Sequence, residues 1–338
     1  MTLHVPYSRL TAVGYHATVL TRHRFTPQFL PILATALSRN ARCASSATSN
    51  PQTSLVGDRL NPPSSTLPPP LHLSKREPNQ SKFSHLISIG RLYASFYKNG
   101  LKQIWTNHKL AKAVKEHSLS KSPSQSASSS LGDIPHPVLS RAEFQLILRA
   151  RHDSLRIPIF VLLFLIIGEW LPLVVMFFTP VVPYTCRIPK QIDSGRKKAE
   201  TQRRAGLELY KEPKGSKVSK DTKADNLSKQ QLFRASAVLG LHSRLWDRLN
   251  GALKTPVLPP NTLLRWRLQR RLRYLEQDDA LMLKDGGVNR LSSDELKMAC
   301  EQRGIDVVGR DDKTLKKALD QWLHTSRSHG MLRVILSG

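Results

Sequence analysis

The sequence is poor in cysteine and lacks the common catalytic motifs. Its three cysteines, Cys43, Cys186 and Cys300, lie far apart; none has a partner at metal-ligand spacing, and no disulfide framework is suggested. A glycine-rich phosphate loop, an HExxH zinc motif and a GxSxG nucleophile motif are all missing. Because no nucleophile, base and orienting group can be assembled from the motifs present, we predict no enzyme, no cofactor and no metal site.

Acidic residues are also scarce. The 338 residues contain 25 Asp and Glu against 52 Lys and Arg, which gives a formal net charge of +27. Such an excess favours partners that carry phosphate, such as RNA, or an anionic lipid surface. It does not determine the fold.

The N-terminal residues carry positive charge alone. No acidic residue precedes Asp58, whereas this stretch contains five arginines, Arg9, Arg22, Arg24, Arg39 and Arg42. A matrix-negative potential draws in such a segment, and Pro27 and Pro31 interrupt the apolar core that a secretory signal needs. We therefore predict a mitochondrial presequence over residues 1–44, processed near residues 42–46. A disordered basic tail is the alternative.

Residues 45–135 are predicted to be a linker that contains one helix. Residues 45–80 are rich in Ser, Pro and Asn, which favours disorder, and a Ser-rich break follows at residues 118–131. Between them, apolar residues recur at helical spacing over about residues 83–114, and lysines crowd the far end. This pattern predicts an amphipathic helix that either lies on a membrane surface or packs on a later domain.

A long apolar run follows. Residues 157–186 contain one carboxylate, Glu169, and no Lys or Arg. Because about twenty apolar residues span a bilayer core as a helix, we predict a single transmembrane helix near residues 157–185, within a region 136–190 that includes its flanks. Pro172 removes a backbone donor and predicts a kink. A buried soluble helix is the alternative.

Basic residues flank this run on both sides. The twenty residues before it hold four arginines, and the twenty residues from Arg187 hold seven basic residues. Positive flanks stay on the negative side of a membrane. The larger charge predicts a single-pass protein of the mitochondrial inner membrane with its C-terminal half in the matrix.

Glu169 needs an explanation, because a carboxylate in hydrocarbon costs at least about 2.5 kcal/mol unless it is neutralised or paired. One hypothesis is an ion or proton site formed by Glu169 and Pro172. The alternatives are a protonated Glu169 bonded to the backbone that Pro172 frees, or a contact between helices. Since one span cannot form a path alone, transport would require a homo-oligomer.

The C-terminal residues 191–338 read as an all-α bundle after a charged tether. Ser228 with Gln231, and Ser292 with Glu295, have the spacing of capping boxes that begin helices. Gly304 is a helix stop, and a further helix is predicted at residues 242–252. The last helix carries the core positions Leu315, Leu319, Trp322 and Leu323.

One helix in this bundle combines a core face with a cluster of arginines. Its core face is a stripe at 3.6-residue spacing, Leu264, Leu268, Leu272 and Leu275. Arg267, Arg270, Arg271 and Arg273 are predicted to lie on the opposite side, with Trp266 among them. We predict that this side contacts RNA, since arginine pairs with phosphate and an accessible aromatic ring stacks on bases. The predicted contact residues are Arg265, Trp266, Arg267, Arg270, Arg271 and Arg273. A solvated basic face, with Trp266 against a neighbouring helix, is the alternative.

Three ordered blocks over about residues 136–324 carry a family resemblance. The first is Arg141-x-Glu143, Asp153-x-Leu155-Arg156-Ile157-Pro158, Glu169-x-Leu171-Pro172-Leu173, Pro180 and Pro183. The second is Asp225-Asn226-Leu227-Ser228-x-Gln230-Gln231-Leu232. The third runs from Arg271-Leu272-x-x-Leu275-x-x-Asp278-Asp279 through Leu291-x-x-x-Glu295-Leu296-x-x-Ala299-Cys300-x-x-Arg303-Gly304 to Leu315 and Trp322-Leu323. Together they resemble the LETM family of mitochondrial inner-membrane proteins, named for a leucine zipper, an EF-hand and a transmembrane segment.

The resemblance implies a 14-3-3-like helical matrix domain that binds mitochondrial ribosomes. It also implies roles in cation/proton exchange, in mitochondrial volume and in the insertion of new inner-membrane proteins. The chain departs from the long members, since no long coiled coil follows Trp322. The acidic pairs Asp278-Asp279 and Asp311-Asp312 lack EF-hand spacing, so calcium sensing is not carried over. The chain resembles the short members.

Three functions therefore compete. The first is a ribosome receptor anchored in inner-membrane lipids beside the insertion machinery. The second is a potassium/proton or calcium/proton antiporter, or its essential subunit, that uses Glu169. The third and weakest is nucleic-acid binding by residues 291–323, which resemble a SAP helix-extended-helix motif.

Overall fold

The computed structural model describes residues 56–71, 81–121, 139–167, 182–210, 219–220, 222–241 and 261–337. All of them belong to one unit, Gln52–Gly338. Within these ranges the regular structure is helical and contains no strand, so the all-α prediction is confirmed there. The predicted presequence, the Ser-rich break, the helix at 242–252 and the residues Glu169 and Pro172 lie outside the described residues.

The described residues form nine α-helices and four short 3-10 turns. They are α1 (Lys82–Lys121), α2 (Arg141–Ser154), α3 (Ile157–Ile167), α4 (Pro189–Leu209), α5 (Lys229–Val238), α6 (Asn261–Asp285), α7 (Ser293–Gln302), α8 (Asp312–His329) and α9 (Met331–Ser337). The 3-10 turns are Ser64–Thr66, Tyr184–Cys186, Ala224–Asn226 and Val288–Arg290.

Local hydrogen bonds explain where several helices begin and end. Ser228 caps α5 as its spacing predicts. The Ser228 hydroxyl accepts from the backbone N–H of Gln231 at 3.2 Å, and the Gln231 side chain accepts from the backbone N–H of Ser228 at 3.0 Å. Gly304 ends α7 with φ of 76°, in the left-handed region. The capping box predicted at Ser292 is wrong, since the Ser292 side chain makes no cap hydrogen bond. The Glu295 carboxylate forms an ion pair with Arg149 instead of returning to the start of α7.

The main core lies among the C-terminal helices. Leu264, Leu268 and Leu275 of α6 are fully buried, and Leu272 packs beside them, as the stripe predicts. The same cluster takes in buried side chains from α5, α7, α8 and α9, Leu232, Leu296, Leu315, Leu319, Trp322, Leu323 and Leu336. Burial of these side chains supplies the main driving force for this bundle.

Residues 56–71 differ from the disordered linker that their composition predicts. Leu60 is fully buried in the main core. Arg59 donates to the Asp285 carboxylate at 3.1 and 3.2 Å, and Asn61 both donates to the Arg290 carbonyl and accepts from the Ser292 N–H at 3.0 Å. The buried Leu60 side chain and several specific polar bonds order a segment with few large apolar residues.

The long helix α1 lies along α2. Ala111 and Val114 of α1 pack against Leu146 and Ile147 of α2 in a second apolar cluster. A third cluster joins the middle of α1 to α3 and to residues 182–188, and it contains Phe96, Tyr97, Ile104, Phe160, Val182, Cys186 and Ile188. The C-terminal part of α1 therefore packs on protein, which is the second of the two arrangements that its pattern left open.

The predicted span at residues 157–185 is described only in part. Its first residues form α3, and no helix within the described ranges combines the length and apolarity that a bilayer crossing requires. The two ends of the stretch are in contact, because the Tyr184 N–H donates to Asp153 Oδ1 at 2.9 Å. Because residues 168–181 lie outside the described residues, the single transmembrane helix stays a prediction.

Candidate functional site

The outer face of α6 carries an exposed aromatic ring with arginines beside it. Trp266 is 51% exposed, and the Arg270 guanidinium lies 5.6 Å from the centre of its ring. Arg273, one turn further along, is also exposed. We call Trp266, Arg270 and Arg273 the α6 outer face. A guanidinium over an indole leaves charge and ring accessible together, which suits a phosphate and a neighbouring base.

Two of the predicted contact residues donate hydrogen bonds to backbone carbonyls of the protein itself. Arg265 donates to the carbonyls of Ala224 and Leu227 at 3.0 Å, and also to that of Asp225. Arg267 donates to the Leu241 carbonyl at 3.0 Å. These guanidinium groups fasten the ends of neighbouring segments to α6. Their role as RNA contacts stays a prediction, and their geometry favours a structural one.

Arg271 does not lie opposite the core stripe. It stands three residues after Leu268 and four before Leu275, which puts it on the same helical face as the core. Its guanidinium lies 5.7 Å from the ring centre of Tyr274, and its buried Nε has no hydrogen-bond partner among the described residues. Burial lowers the pKa of Arg271. The predicted cluster therefore has two parts. Trp266, Arg270 and Arg273 are exposed, whereas Arg265, Arg267 and Arg271 contact other parts of the protein.

Farther along α6, ionisable side chains of α6 are removed from solvent together with others from α2 and from residues in and next to α7. We define the buried charge network as Arg141, Arg149, Asp278, Asp279, Asp285, Glu295 and Arg303. Asp278 joins two arginines, with Arg141 Nε at 2.9 Å from one carboxylate oxygen and Arg303 Nη2 at 2.8 Å from the other. Arg303 Nε also donates to Asp279 at 2.9 Å.

The buried charge network joins α2, the helix before the apolar run, to the C-terminal bundle. Arg149 of α2 makes a two-point ion pair with Glu295 of α7, at 2.6 and 2.8 Å. The Arg141 N–H donates to Asp285 at 2.7 Å. Gln145 of α2 donates to both Tyr274 and Asp278, at 2.9 and 2.7 Å. Buried charge is tolerated here because each group has an opposite partner and hydrogen bonds.

The electrostatics of the two adjacent aspartates differ. Burial opposes ionisation of Asp278, but Arg141 and Arg303 outweigh it and hold the pKa of Asp278 well below its usual range. Burial dominates at Asp279 and raises its pKa, although Arg303 and the indole N–H of Trp322, 3.2 Å away, oppose this. The pair thus separates into one firmly ionised carboxylate and one whose ionisation is disfavoured.

The sequence contains a signal for this network. Asp278 and Asp279 continue the helical register of Leu268, Leu275 and Met282, so a carboxylate pair falls on a core face. Buried carboxylates require partners, which predicts arginines facing them. Neither Arg141 nor Arg303 is identifiable as that partner from local spacing, because both come from other helices.

Other side chains of the protein occupy three carboxylates of the two acidic pairs. Within the described ranges, no three His, Cys, Asp or Glu side chains are grouped so as to hold a metal ion. Asp278 and Asp279 are engaged by arginine, and Asp311 accepts from the Thr314 hydroxyl at the start of α8. Glu169 and Pro172 lie outside the described residues, so the ion or proton site stays a prediction.

Comparison with known proteins gives one family match over the C-terminal helices and includes two mitochondrial proteins among the relatives. Residues 190–337 match the family model described as "LETM1-like, RBD", where RBD is the ribosome-binding domain. The chain is 33% identical over 116 residues to the LETM1 domain-containing protein mdm28, mitochondrial, of Schizosaccharomyces pombe, covering 34% of this chain and 21% of that protein. It is 31% identical over 102 residues to the mitochondrial proton/calcium exchanger protein of Drosophila melanogaster, covering 30% of this chain and 9% of that protein.

These matches cover a minor part of each relative. The chain spans about a fifth of the length of the yeast protein and about a tenth of that of the fly protein. No solved structure matches the chain.

Proposed function

We propose that this helical domain, whose residues 190–337 match the LETM1-like RBD family model, binds mitochondrial ribosomes beside the inner membrane. The observation that carries the proposal is the α6 outer face, an exposed Trp266–Arg270 pair with Arg273, within the matched region. In this role the apolar residues 157–185 attach the chain to inner-membrane lipids. The bound ribosome then lies close to the machinery that inserts new membrane proteins.

The chemistry of the α6 outer face suits ribosomal RNA. A guanidinium neutralises phosphate and releases its counterions, which supplies sequence-independent affinity. An exposed indole adds stacking on an unpaired base, worth about 1–3 kcal/mol. The net charge of +27 supports attraction to a polyanion over a longer range. Mitochondrial relatives support the compartment, and the excess of basic residues after the apolar run supports a matrix-facing domain.

The buried charge network supports the part of this proposal that requires a firm connection between the ribosome-binding helix α6 and the membrane-attached segment. It joins α2, which precedes the apolar run, to α6, whose opposite side carries Trp266. Several buried ion pairs hold α2, α6 and α7 together, so we expect these helices to move as one rigid unit. A ribosome held on α6 would therefore keep a fixed distance from the membrane attachment.

Co-sedimentation of the purified full chain with mitochondrial ribosomes tests the proposal. The variant Arg270→Glu with Arg273→Glu should lose most binding, and Trp266→Ala should lose part of it. The matched control is Lys313→Glu with Lys317→Glu on α8, two exposed lysines whose reversal gives the same change in net charge. Unchanged binding by the α6 variant, or equal loss in both double variants, would contradict this contact surface.

Cation/proton exchange is a second candidate, because the fly relative is named a proton/calcium exchanger. Under this alternative the chain, as an antiporter or its essential subunit, would use the carboxylate of Glu169 within an oligomer. Reconstituted protein should exchange potassium or calcium for protons, and Glu169→Gln should abolish the flux. Equal flux from wild type and variant would remove Glu169 from the mechanism.

A further inference from the structure

The exposed side of α1 carries a row of lysines around one tryptophan. The residues Lys98, Lys102, Trp105, Lys109 and Lys112 recur at steps of three or four, and each of them is exposed. Trp105 is 63% exposed, and the Lys109 ammonium lies 5.3 Å from the centre of its ring. We call these five residues the α1 lysine stripe. It extends about 21 Å along the helix, since each helical residue rises 1.5 Å.

The opposite side of α1 is fixed to the rest of the protein. Ile104, Ala111 and Val114 are buried there. Asn107 is also buried, and its side chain donates to the Ser65 carbonyl at 2.8 Å and accepts from the Ser65 hydroxyl at 2.6 Å. These contacts set the rotation of α1 about its own axis. The fold therefore holds the α1 lysine stripe towards the outside.

The positive charge of this helix is almost unopposed. α1 contains eight Lys and Arg residues and a single acidic residue, Glu116. Glu116 lies 3.9 Å from Lys112, and both side chains are exposed. Within the part of the chain that the structure describes, Lys98, Lys102 and Lys109 have no carboxylate partner. The α1 lysine stripe is therefore complementary to an anionic surface.

The surroundings of the stripe favour lipid over nucleic acid. Its cations are lysines, whose long stems can lie on apolar surface while the ammonium groups reach headgroups. A tryptophan ring prefers the boundary between headgroups and acyl chains. Leu101 and Leu119 are exposed beside the stripe, 37% and 51% respectively. The headgroup boundary covers such leucines, whereas a phosphate backbone leaves them in water.

The stripe also lies on a helix that is joined to the start of the apolar run. Phe96 and Tyr97 of α1 pack with Phe160 of α3 in one buried cluster. Leu165 and Ile166 of α3 are each 73% exposed. A large exposed apolar surface of this kind marks a contact with lipid or protein. If α3 begins the membrane attachment, α1 is held close to the bilayer surface.

We propose that the α1 lysine stripe binds the headgroups of anionic phospholipids, with Trp105 at the boundary between headgroups and acyl chains. In this arrangement α1 lies along the bilayer surface. The inference rests on the membrane attachment in the proposed function but not on ribosome binding. It gives α1 both of the arrangements that its pattern left open, because one side packs on protein and the other on lipid.

Fluorescence of the full chain in reconstituted vesicles tests the proposal. The background is Cys43→Ser, because Cys186 and Cys300 are buried and should stay unlabelled. Ala113→Cys, at an exposed position beside the stripe, carries an environment-sensitive nitrobenzoxadiazole group. Gln321→Cys, exposed on α8, carries the same group as the control. The vesicles contain phosphatidylcholine alone or with phosphatidylglycerol, and a nitroxide on a headgroup serves as the quencher.

Phosphatidylglycerol should shift the emission of the Ala113→Cys probe to shorter wavelength and increase its quenching. The Gln321→Cys probe should change in neither respect. Equal quenching of the Ala113→Cys probe in the two kinds of vesicle would overturn the proposal. This comparison changes only the lipid, so it does not depend on how a charge variant folds.

Charge reversal gives a second measurement with the Ala113→Cys probe. Lys98→Glu with Lys109→Glu should abolish the effect of phosphatidylglycerol, because it removes the attraction to anionic headgroups. Lys313→Glu with Lys317→Glu on α8 is the matched control, since it changes the net charge equally at exposed positions. An equal loss in both double variants would show that net charge acts without the stripe and would overturn the proposal.

Two further measurements separate this proposal from its alternatives. Single-stranded RNA added to phosphatidylcholine vesicles should change the Ala113→Cys emission less than phosphatidylglycerol does, and a larger change would assign the stripe to RNA instead. The variant Lys98→Glu with Lys109→Glu should still sediment with ribosomes, because the α6 outer face is intact. Ribosome binding without lipid-dependent quenching would overturn the lipid contact alone. Lipid-dependent quenching without ribosome binding would support the lipid contact and reject the ribosome contact.

Discussion

Arg149 and Glu295 form a two-point ion pair across 146 residues of sequence, with nitrogen–oxygen distances of 2.6 and 2.8 Å. The carboxylate is 2% exposed and the guanidinium 13%. Parallel hydrogen bonds between these planar groups fix their orientation as well as their separation. The pair therefore sets how α2 docks on α7, and through α2 it sets where the apolar run leaves the bundle.

Removing one partner of this pair should be costly. Arg149→Ala leaves the buried Glu295 with only its longer ion pair to Arg141, at 3.6 Å, so we expect the full chain to lose about 3 kcal/mol of unfolding free energy, the lower end of the cost of breaking a buried pair. The matched control is Lys112→Ala, which removes an exposed pair with Glu116 and should cost less than about 1 kcal/mol. Chemical denaturation of detergent-solubilised protein measures both. Similar small losses in the two variants would show that the Arg149–Glu295 pair does not fasten α2.

The two neighbouring aspartates should respond differently to removal of charge. Because the folded pKa of Asp278 is lowered, its contribution to stability is complete above 3.8, the unfolded value, and is lost as pH falls below that value. Because the folded pKa of Asp279 is raised, its contribution is present below 3.8 and is lost as pH rises through the folded pKa. Asp278→Asn should thus destabilise more than Asp279→Asn at neutral pH. Unfolding free energies measured across acid to neutral pH test this, and the reverse order would contradict the assignment of charges.

Salt dependence should separate the exposed arginine from its internal neighbour. If Arg270 pairs with phosphate, Arg270→Gln should reduce the slope of log affinity against log salt concentration by about 1. Arg271→Gln is the control, since Arg271 lies beside Tyr274 on the core face and should leave that slope unchanged. Sedimentation with ribosomes over a salt series gives both slopes. Equal slopes for Arg270→Gln and wild type would exclude a phosphate contact at Arg270.

Two glycines of α1 should respond oppositely to alanine. A Cβ at Gly100 would lie 2.9 Å from both the Cys186 sulfur and the Thr185 carbonyl oxygen, so Gly100→Ala should destabilise by about 1–3 kcal/mol. A Cβ at Gly90 would meet nothing within 4 Å, and Gly90→Ala should stabilise the helix by about 0.5–1 kcal/mol. Thermal unfolding of the two variants provides the comparison. Stabilisation by Gly100→Ala would mean that residues 184–186 do not press against α1.

Features set by nearby residues could be predicted from the sequence. The Leu264 and Leu268 stripe, the Ser228 cap and the Gly304 stop depend on spacings of a few residues, and the structure contains each of them. They follow from helical periodicity and from backbone groups that helix ends leave unpaired.

Features set by distant partners could not be predicted in the same way. Glu295 has the spacing of a capping residue, but an arginine 146 residues earlier in the chain binds it instead. Residues 59–61 have the composition of a linker, yet the order there comes from Asp285, Arg290 and Ser292. The prediction that Arg271 lies opposite the core stripe is wrong, because its register with Leu268 and Leu275 points inward.

The bond between Arg59 and Asp285 joins residues 226 positions apart. During synthesis of the chain Arg59 emerges long before Asp285. Contacts of such separation form late in folding, because a large loop must close before they can stabilise anything. Until the C-terminal bundle has formed, Leu60 has no core to enter, so residues 59–61 become ordered only after that bundle.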